Sequence, residues 1–281
     1  MSVSETRGGV LAVIPARWGS TRFPGKALAD LAGRPMIEFV YRRTLRAHRV
    51  DRVLVATDDE RIAGAVRAFG GEAYMTRADH QSGTDRVAEV AEALEGVGVV
   101  VNVQGDEPLI HPGDIDAAVG PLLSGSLVMM TTIAVLIPRV EDFLDSNVVK
   151  VVVNKEGDAL YFSRAPLPYA RDLIGGALDS AGALRERWAE IRPRPMKHLG
   201  LYAYRREYLT RLSSLPPSGL EKAERLEQLR ALEDGARIRV VEVENDSIGV
   251  DTPGDLACLS EDTALREKIE QEIDLWQNIS S

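Results

Sequence analysis

Hydrophobic residues in the first half of the chain form short runs that alternate with segments of helical spacing. The runs are rich in Val and Ile, so each one predicts a buried strand. They occupy residues 10–15, 51–57, 72–76 and 99–105, and predicted helices at 35–49, 59–69 and 82–95 lie between them. Asp58 or Asp59 and Ser82 stand where helix N-caps are expected. This alternation predicts an α/β fold with a mostly parallel, Rossmann-like sheet flanked by helices.

The second half has a more mixed pattern. Predicted strands cover 129–136, 148–154, 159–163, 197–204 and 237–244, and the absence of a long helix between 148–154 and 159–163 favours a hairpin there. A helix is predicted over 221–234, with Leu226, Leu229 and Leu232 on its buried face. Prolines and scattered charges in about 165–196 indicate an inserted smaller segment. Without repeats or a low-complexity linker, residues 1–281 are predicted to form a single domain.

The last residues predict a C-terminal helical extension over about 260–281. Leu265, Ile269 and Ile273 recur at every fourth position, which is typical of an amphipathic helix. Their apolar face suits packing on the body of the same subunit, which we favour, or on a partner subunit.

Composition and charge narrow the class of protein. With 44% hydrophobic and 27% charged residues, the 281-residue chain has an ordinary globular composition. A net charge of −9 disfavours nonspecific binding to nucleic acid or to an anionic membrane. Cys258 is the single cysteine, so no intrachain disulfide can form. No apolar run approaches the ~20 residues of a membrane span, and residues 1–9 lack the apolar core of a secretory signal. We therefore expect a cytoplasmic protein without membrane insertion or a nucleic-acid partner.

A basic, glycine-containing loop follows the first predicted strand, with the sequence PARWGSTRFPGK over residues 15–26. Open α/β sheets bind ligands at the carboxyl ends of their strands. Gly19 and Gly25 would let backbone amides approach phosphate oxygens, and Arg17, Arg22 and Lys26 would supply positive charge. A solvated basic turn is the simpler alternative, but three cations at this edge of an acidic protein favour a phosphate site.

Two aspartates are predicted at strand ends. Asp106 follows the run VNVQG, and Asp251 follows a second apolar segment just before Pro253. One strand-end aspartate is usually a turn or cap residue. Two of them near a basic loop instead indicate a Mg²⁺ site for phosphoryl or nucleotidyl transfer.

These blocks together resemble the 3-deoxy-manno-octulosonate (KDO) cytidylyltransferases. The resemblance rests on PARWGSTRFPGK, GRPMIE, MTRADHQSGTDR, VNVQGDEP, ALYFSR, HLGLYAY, LEQLRAL and GVDTP, which run from about residue 10 to 257. It implies a nucleotidyltransferase fold that transfers CMP from CTP to the anomeric hydroxyl of KDO, an acidic 2-keto-3-deoxy sugar. Pyrophosphate would leave, and the CMP-KDO would serve lipopolysaccharide synthesis. The resemblance also implies Mg²⁺ dependence and a homodimer.

The resemblance assigns roles to individual residues. Arg17, Arg22 and Lys26 would bind the CTP phosphates, with Arg17, Lys26, Asp106 and Asp251 as the catalytic group. Arg77, Ser82 and Gln104 would surround the cytosine and ribose, and Asp106 and Asp251 would hold Mg²⁺. The sugar site would comprise Arg164, His198, Tyr202, Glu227 and Gln228. By pattern alone, His198 is a core histidine, and Glu227 and Gln228 lie on a solvated helix flank.

Three alternatives stay open. The acceptor can be a modified KDO, such as an amino-KDO, or another 2-keto sugar acid. More distant alternatives are a sugar-1-phosphate nucleotidylyltransferase that uses UTP or dTTP, and a catalytically silent nucleotide-binding module. Two departures from the family pattern, a longer segment over 170–196 and the additional tail from about Ser260, affect the acceptor site and assembly more than the chemistry.

Overall fold

The computed structural model describes residues 8–20, 22–125, 127–171 and 181–279, with the backbone alone for 181–183 and 277–279. Its strands are β1 (Gly9–Ala16), β2 (Asp30–Leu31), β3 (Arg34–Pro35), β4 (Arg52–Thr57), β5 (Ala73–Met75), β6 (Val97–Asn102), β7 (Met130–Leu136), β8 (Lys150–Val153), β9 (Ala159–Ser163), β10 (Met196–Arg205) and β11 (Ile238–Glu242).

The α-helices over the same residues are α1 (Met36–Thr44), α2 (Glu60–Ala68), α3 (Gly83–Ala93), α4 (Pro112–Leu123), α5 (Val140–Leu144), α6 (Ala181–Glu186), α7 (Arg206–Ser214), α8 (Gly219–Glu224), α9 (Gln228–Glu233), α10 (Pro253–Glu261) and α11 (Thr263–Ile279). Short 3₁₀ helices occupy Lys26–Leu28 and Trp188–Glu190. No helix in the described ranges combines the length and the apolar composition needed to cross a membrane.

The chain packs as two compact units, one of residues 1–116 with 247–281 and the other of residues 117–246. The first unit contains a parallel sheet in the order β6-β1-β4-β5. Its strands are the four predicted in the first half of the sequence, and α1, α2 and α3 confirm the three helices predicted between them. That residues 1–281 form a single domain stays a prediction.

The second unit has mixed strand directions. β7 pairs with β11 in parallel and with β10 antiparallel, while β8 pairs antiparallel with β9 and β10. The hairpin predicted for the middle pair is therefore confirmed as β8–β9. The α/β class is also confirmed, with the parallel strands concentrated in the first unit. Part of the predicted insertion, residues 172–180, lies outside the described residues.

The prediction of one continuous helix over 221–234 is wrong. The structure divides 221–234 into α8 and α9, because Arg225 adopts a left-handed backbone conformation with φ of 54°. Leu226 and Leu229 are buried as predicted, and Leu232 is partly buried.

The C-terminal extension is confirmed as helical over the described part of α11. Ile269 and Trp276 are buried in a cluster with Met36 and Phe39, and Leu265 and Ile273 pack against it. Glu272 accepts hydrogen bonds from Arg43 and Arg46 beside α1. The apolar face of α11 therefore packs on its own unit, as the favoured alternative predicted.

Candidate active site

The loop after β1 is shaped by a glycine, an indole and a guanidinium. Gly25 has φ of +70°, and a Cβ there would lie 2.9 Å from Cη2 of Trp18. Gly25 N donates to Trp18 O at 2.9 Å. On Trp18, the guanidinium carbon of Arg61 lies 3.4 Å from the ring centroid, in a cation–π contact. Only glycine fits this turn without strain, and the turn places Lys26 at its end.

Lys26 joins the two predicted metal ligands. Its Nζ donates to Asp106 Oδ2 at 2.5 Å, to Asp251 Oδ1 at 3.2 Å and to the backbone oxygen of Val250 at 3.2 Å. Arg22 Nη2 lies 2.9 Å from the other carboxylate oxygen of Asp251. Charged groups from three distant parts of the sequence are thus connected, as predicted for a phosphate loop beside two metal-binding aspartates.

Backbone contacts explain why the two aspartates meet. The strand predicted directly before Asp251 is wrong, because residues 247–250 form no strand. Instead, Val250 N donates to Asp106 O at 2.8 Å, which ties the segment before Asp251 to the chain that follows β6. Gly105 passes so close to β1 that a Cβ would lie 2.8 Å from Pro15 O. This close approach is the physical reason for a glycine immediately before Asp106.

Asp251 is also fixed by the start of α10. Thr252 and Asp255 form a capping box, and Asp255 Oδ2 accepts from Asp251 N at 3.0 Å. Burial acts to raise the pKa of Asp255, but the hydrogen bonds from Asp251 N and Thr252 outweigh it, so the pKa is lowered. The cap therefore stays ionised and holds the backbone that carries Asp251.

A cavity of about 340 Å³ lies around these groups, within the size range of small-ligand sites. All of its lining residues belong to the first unit. The lining includes seven predicted site residues, namely Arg17, Arg22, Lys26, Ser82, Gln104, Asp106 and Asp251. The structure therefore brings together the predicted phosphate, metal and most of the predicted base-binding residues.

Arg77 is the predicted nucleotide-site residue that does not line this cavity. Its side chain is 69% exposed and its Nε lies 3.5 Å from Asp79 and 3.8 Å from Glu89. Its predicted role at the base is not supported by a cavity contact and stays a prediction.

Sequence reasoning assigned no site role to several cavity residues that lie just before α3 or in its first turn. They are His80, Gln81, Gly83 and Arg86, and Ser20 is added from the first loop. Ser82 caps α3, with its Oγ accepting from Asp85 N at 3.1 Å. The spacing of Ser82 and Asp85 is typical of a capping box. This pattern could have indicated that the residues just before Ser82 are held in place and form part of the cavity wall.

Side-chain contacts hold this wall in place. His80 Nε2 contacts Glu89 Oε2, and Arg86 Nη2 donates to Asp58 Oδ2 at 2.9 Å. Burial acts to raise the pKa of Glu89, but its hydrogen bonds with His80 and Arg77 N and the nearby positive charge lower it overall. Arg86 is 3% exposed, so its ion pair with Asp58 is buried and fixes the position of this part of the cavity wall.

The predicted sugar residues all lie in the second unit. His198 and Tyr202 on β10 have ring centroids 5.3 Å apart, and Phe162 packs edge-on against His198 at 5.1 Å. Burial, followed by the charges of Tyr204 and Glu227, raises the pKa of Tyr202. Burial lowers the pKa of His198 to about 3, so its imidazole is neutral at physiological pH. Three predicted sugar residues, His198, Tyr202 and Glu227, therefore form one neighbourhood.

The other two predicted sugar residues, Arg164 and Gln228, differ in their hydrogen bonding. Arg164 Nε donates to Glu224 O at 2.8 Å and Nη1 donates to Ser146 O at 3.0 Å. Gln228 is 5% exposed, and its Nε2 has no hydrogen-bond partner among the described residues. Arg164 thus hydrogen-bonds to nearby backbone, while Gln228 keeps a buried donor for which the part of the chain that the structure describes supplies no acceptor.

The cavity combines cations, one carboxylate that follows β6, a second carboxylate just before α10, and a capped helix start. Among the described residues, no cluster of three or more His, Cys, Asp or Glu side chains forms a possible metal site. Two carboxylates suffice when substrate phosphates complete the coordination of Mg²⁺. The fold and this site define a nucleotide-binding α/β protein suited to phosphoryl or nucleotidyl chemistry.

Comparisons with known proteins narrow this class. A family model described as cytidylyltransferase matches residues 11–240. The 3-deoxy-manno-octulosonate cytidylyltransferase of Geobacter sulfurreducens is 57% identical over 88% of this chain and 96% of its own length. The protein of that name from Solibacter usitatus is 51% identical over 89% of this chain and 93% of its own length.

Solved structures give the same result. A CMP:2-keto-3-deoxy-manno-octonic acid synthetase complexed with CTP is 44% identical, covers 94% of this chain and 99% of its own, and superposes with a TM-score of 0.80. A cytidylyltransferase from Leptospira borgpetersenii, 16% identical over 96% of this chain and 98% of its own with a TM-score of 0.56, shows the shared fold alone. The chain belongs to the 3-deoxy-manno-octulosonate cytidylyltransferase family.

Proposed function

We propose that this protein transfers CMP from CTP to the anomeric hydroxyl of KDO, with release of pyrophosphate. The observation that carries the proposal is Lys26, held between Asp106 and Asp251 inside a nucleotide-sized cavity. Relatives that bear the KDO cytidylyltransferase name are up to 57% identical over most of the chain. Together these findings support CTP as the donor and KDO as the acceptor.

The charges in the cavity suit a triphosphate with a metal ion. Arg17, Arg22 and Lys26 bring positive charge, but Asp106 and Asp251 neutralise part of it. The loop alone therefore offers less positive charge than the triphosphate brings negative charge. A divalent cation would restore the balance, which favours metal-dependent binding over binding by the loop alone.

The residues present fit Mg²⁺. Asp106 and Asp251 are both within hydrogen-bond distance of one ammonium, so both carboxylates can reach one small cation. They supply the hard oxygen ligands that Mg²⁺ prefers. The chemistry supplied by the bound ion would be charge neutralisation and polarisation of phosphoryl oxygens.

The chain's own residues would position the donor. Lys26 and Arg22 would exchange their carboxylate contacts for phosphate oxygens, and Arg17 would add charge at the exposed edge of the cavity. Gln104 and the segment 80–83 would contact the ribose and cytosine. Because Ser82 and its helix cap fix that segment, the base would meet a preorganised surface, which lowers the cost of ordering on binding.

The second unit would bind the sugar acid. Glu227 and the uncharged side chains of His198 and Tyr202 offer donors and acceptors for hydroxyl groups. Buried Gln228 Nε2 offers a further donor. Arg164 is our proposed partner for the acceptor carboxylate, because a guanidinium can bind a carboxylate through two parallel hydrogen bonds.

Bond making would follow direct displacement. The anomeric oxygen would attack the α-phosphorus while the bond to pyrophosphate breaks, with no covalent enzyme intermediate. The chain's contribution would be positioning and fixed charge, the main source of rate in phosphoryl transfer. Cys258 is exposed and does not line the cavity, so we assign it no step.

We also propose a cytoplasmic homodimer whose product serves lipopolysaccharide synthesis. Light scattering coupled to gel filtration measures the mass of the native particle directly. The mass of one chain would contradict the dimer.

The decisive experiment measures pyrophosphate release for CTP, UTP and dTTP against KDO, an amino-KDO and glucose-1-phosphate. Each pair is measured with Mg²⁺ and with excess chelator, and the product is identified by mass. We expect turnover with CTP, KDO and Mg²⁺. Turnover with UTP or dTTP and glucose-1-phosphate, but with no keto-sugar acid, would overturn the acceptor. Absence of turnover with every pair, despite CTP binding, would support a silent nucleotide-binding module.

A further inference from the structure

An irregularity in β10 brings two predicted sugar residues together. In a regular strand, residues four apart are separated by about 13 Å. The rings of His198 and Tyr202 nevertheless have centroids 5.3 Å apart. Against β7, Leu199 lies opposite Ile133 while Tyr202 lies opposite Thr132, so two extra residues of β10 have no counterpart. This β-bulge re-aims the flanking side chains.

The hydroxyl of Thr132 lies at this bulge. Its Oγ1 is 2.8 Å from Leu201 O, 3.2 Å from Leu199 O and 3.0 Å from His198 Nε2. Thr132 is fully buried, so the hydroxyl has no access to bulk solvent. It therefore links the two irregular carbonyls of β10 to the imidazole ring.

The donor count decides which nitrogen of His198 carries the proton. A hydroxyl has one proton to donate and lone pairs to accept, whereas a carbonyl oxygen only accepts. The Thr132 proton must therefore point to Leu201 O or Leu199 O. The contact with His198 is then a donation from Nε2–H to Thr132 Oγ1. A neutral imidazole protonated at Nε2 has an unprotonated Nδ1, which is an acceptor.

We propose that Thr132 is a positioning residue that holds the His198 proton on Nε2 and leaves Nδ1 to accept a hydrogen bond from a hydroxyl of the sugar-acid substrate. This inference rests on the proposed function. Phe162 and Tyr202 pack on the ring and limit its rotation. The low pKa of His198, caused by burial, keeps the ring neutral, so the tautomer and not the charge sets its hydrogen-bonding role.

The test compares Thr132→Val, which removes the hydroxyl at similar volume, with Thr132→Ser, which keeps it. Imidazole nitrogen NMR on histidine-labelled protein reports the tautomer directly. The chain has four histidines, so the His198 signal is assigned as the one lost in His198→Gln. We expect protonated Nε2 and bare Nδ1 in the wild type and in Thr132→Ser, and a mixture of tautomers in Thr132→Val.

Kinetics supply the second readout. The Michaelis constant for KDO is expected to rise about threefold to tenfold in Thr132→Val, the effect of one lost hydrogen bond, and to recover in Thr132→Ser. The constant for CTP should stay unchanged in both variants. An unchanged KDO constant in folded Thr132→Val would overturn the inference.

The wild-type spectrum keeps the inference falsifiable if Thr132→Val does not fold. A proton on Nδ1 of wild-type His198 overturns it without any variant. Failure of the proposed function is a separate result, namely wild-type protein that does not turn over CTP and KDO.

Discussion

Replacing either of the two cavity aspartates, Asp106 or Asp251, by asparagine should separate catalysis from stability. Asp106→Asn and Asp251→Asn keep the shape of the side chain but remove the negative charge that faces Lys26. We expect each to reduce turnover by at least a thousandfold, because a neutral amide is a poor ligand for Mg²⁺ beside phosphates. The double variant should be scarcely worse than either single one, since groups that act as a unit are not additive.

The structure limits the accompanying change in stability. The Asp251 side chain is 47% exposed and pairs with Arg22, which is 65% exposed, so that pair contributes at most about 1 kcal/mol. The Asp106 side chain is 27% exposed and Lys26 is 18% exposed. Losing one of the two partners of Lys26 should therefore cost about 1–2 kcal/mol in free energy of unfolding.

The assay is pyrophosphate release at saturating CTP and KDO over a range of Mg²⁺ concentrations, beside urea unfolding of the same preparations. Asp142→Asn is the matched control, because Asp142 pairs with Arg139 and does not line the cavity. It should keep full turnover. If either cavity variant keeps more than a tenth of wild-type turnover at high Mg²⁺, that aspartate is not a required metal ligand.

Three further predictions concern the loop, the extension and the acceptor. Gly25→Ala should lower turnover more than tenfold, because a Cβ would press on Trp18. The control Gly33→Ala, with φ of +80° and no atom within 4 Å of a Cβ, should lose stability but keep its turnover, and equal turnover of the two variants would refute the steric argument. Trp276→Ala should cost about 3 kcal/mol in urea unfolding, and a loss below 1 kcal/mol would show that α11 is loosely packed. Arg164→Lys should raise the Michaelis constant for KDO and leave CTP affinity in calorimetry unchanged; weakened CTP binding alone would place Arg164 in the nucleotide site.

Much of the first unit follows from sequence pattern. Its strands are short Val- and Ile-rich runs, and α2 and α3 begin at the predicted caps Asp59 and Ser82. The meeting of Lys26 and Asp106 follows from a general property, because the carboxyl ends of neighbouring parallel strands share one sheet edge. Asp251 follows no strand, and the hydrogen bond from Val250 N to Asp106 O brings it to the same place. Local composition and chain direction were therefore enough to place most of this site.

The second unit was less predictable for physical reasons. The break at Arg225 involves no Gly or Pro, so helical periodicity continues through a residue whose conformation is set by its surroundings. The bulge of β10 leaves the apolar pattern intact while it changes the register. Arg164 donates to the backbone oxygens of Ser146 and Glu224, and no rule of sequence spacing relates these two residues to the end of β9. Such features depend on tertiary contacts rather than on local pattern.

The order of the chain has a consequence for its synthesis. Asp106 is made before the whole of the second unit, and Asp251 is made after it, yet Val250 N and Asp106 O are hydrogen-bonded. A nascent chain that has reached residue 246 already contains the basic loop, β1 and β6 but lacks the second carboxylate. On the ribosome, Lys26 would then have one carboxylate partner instead of two. Completion of the cavity would therefore occur late, when the segment from residue 247 onward packs on the part of the first unit that was made much earlier.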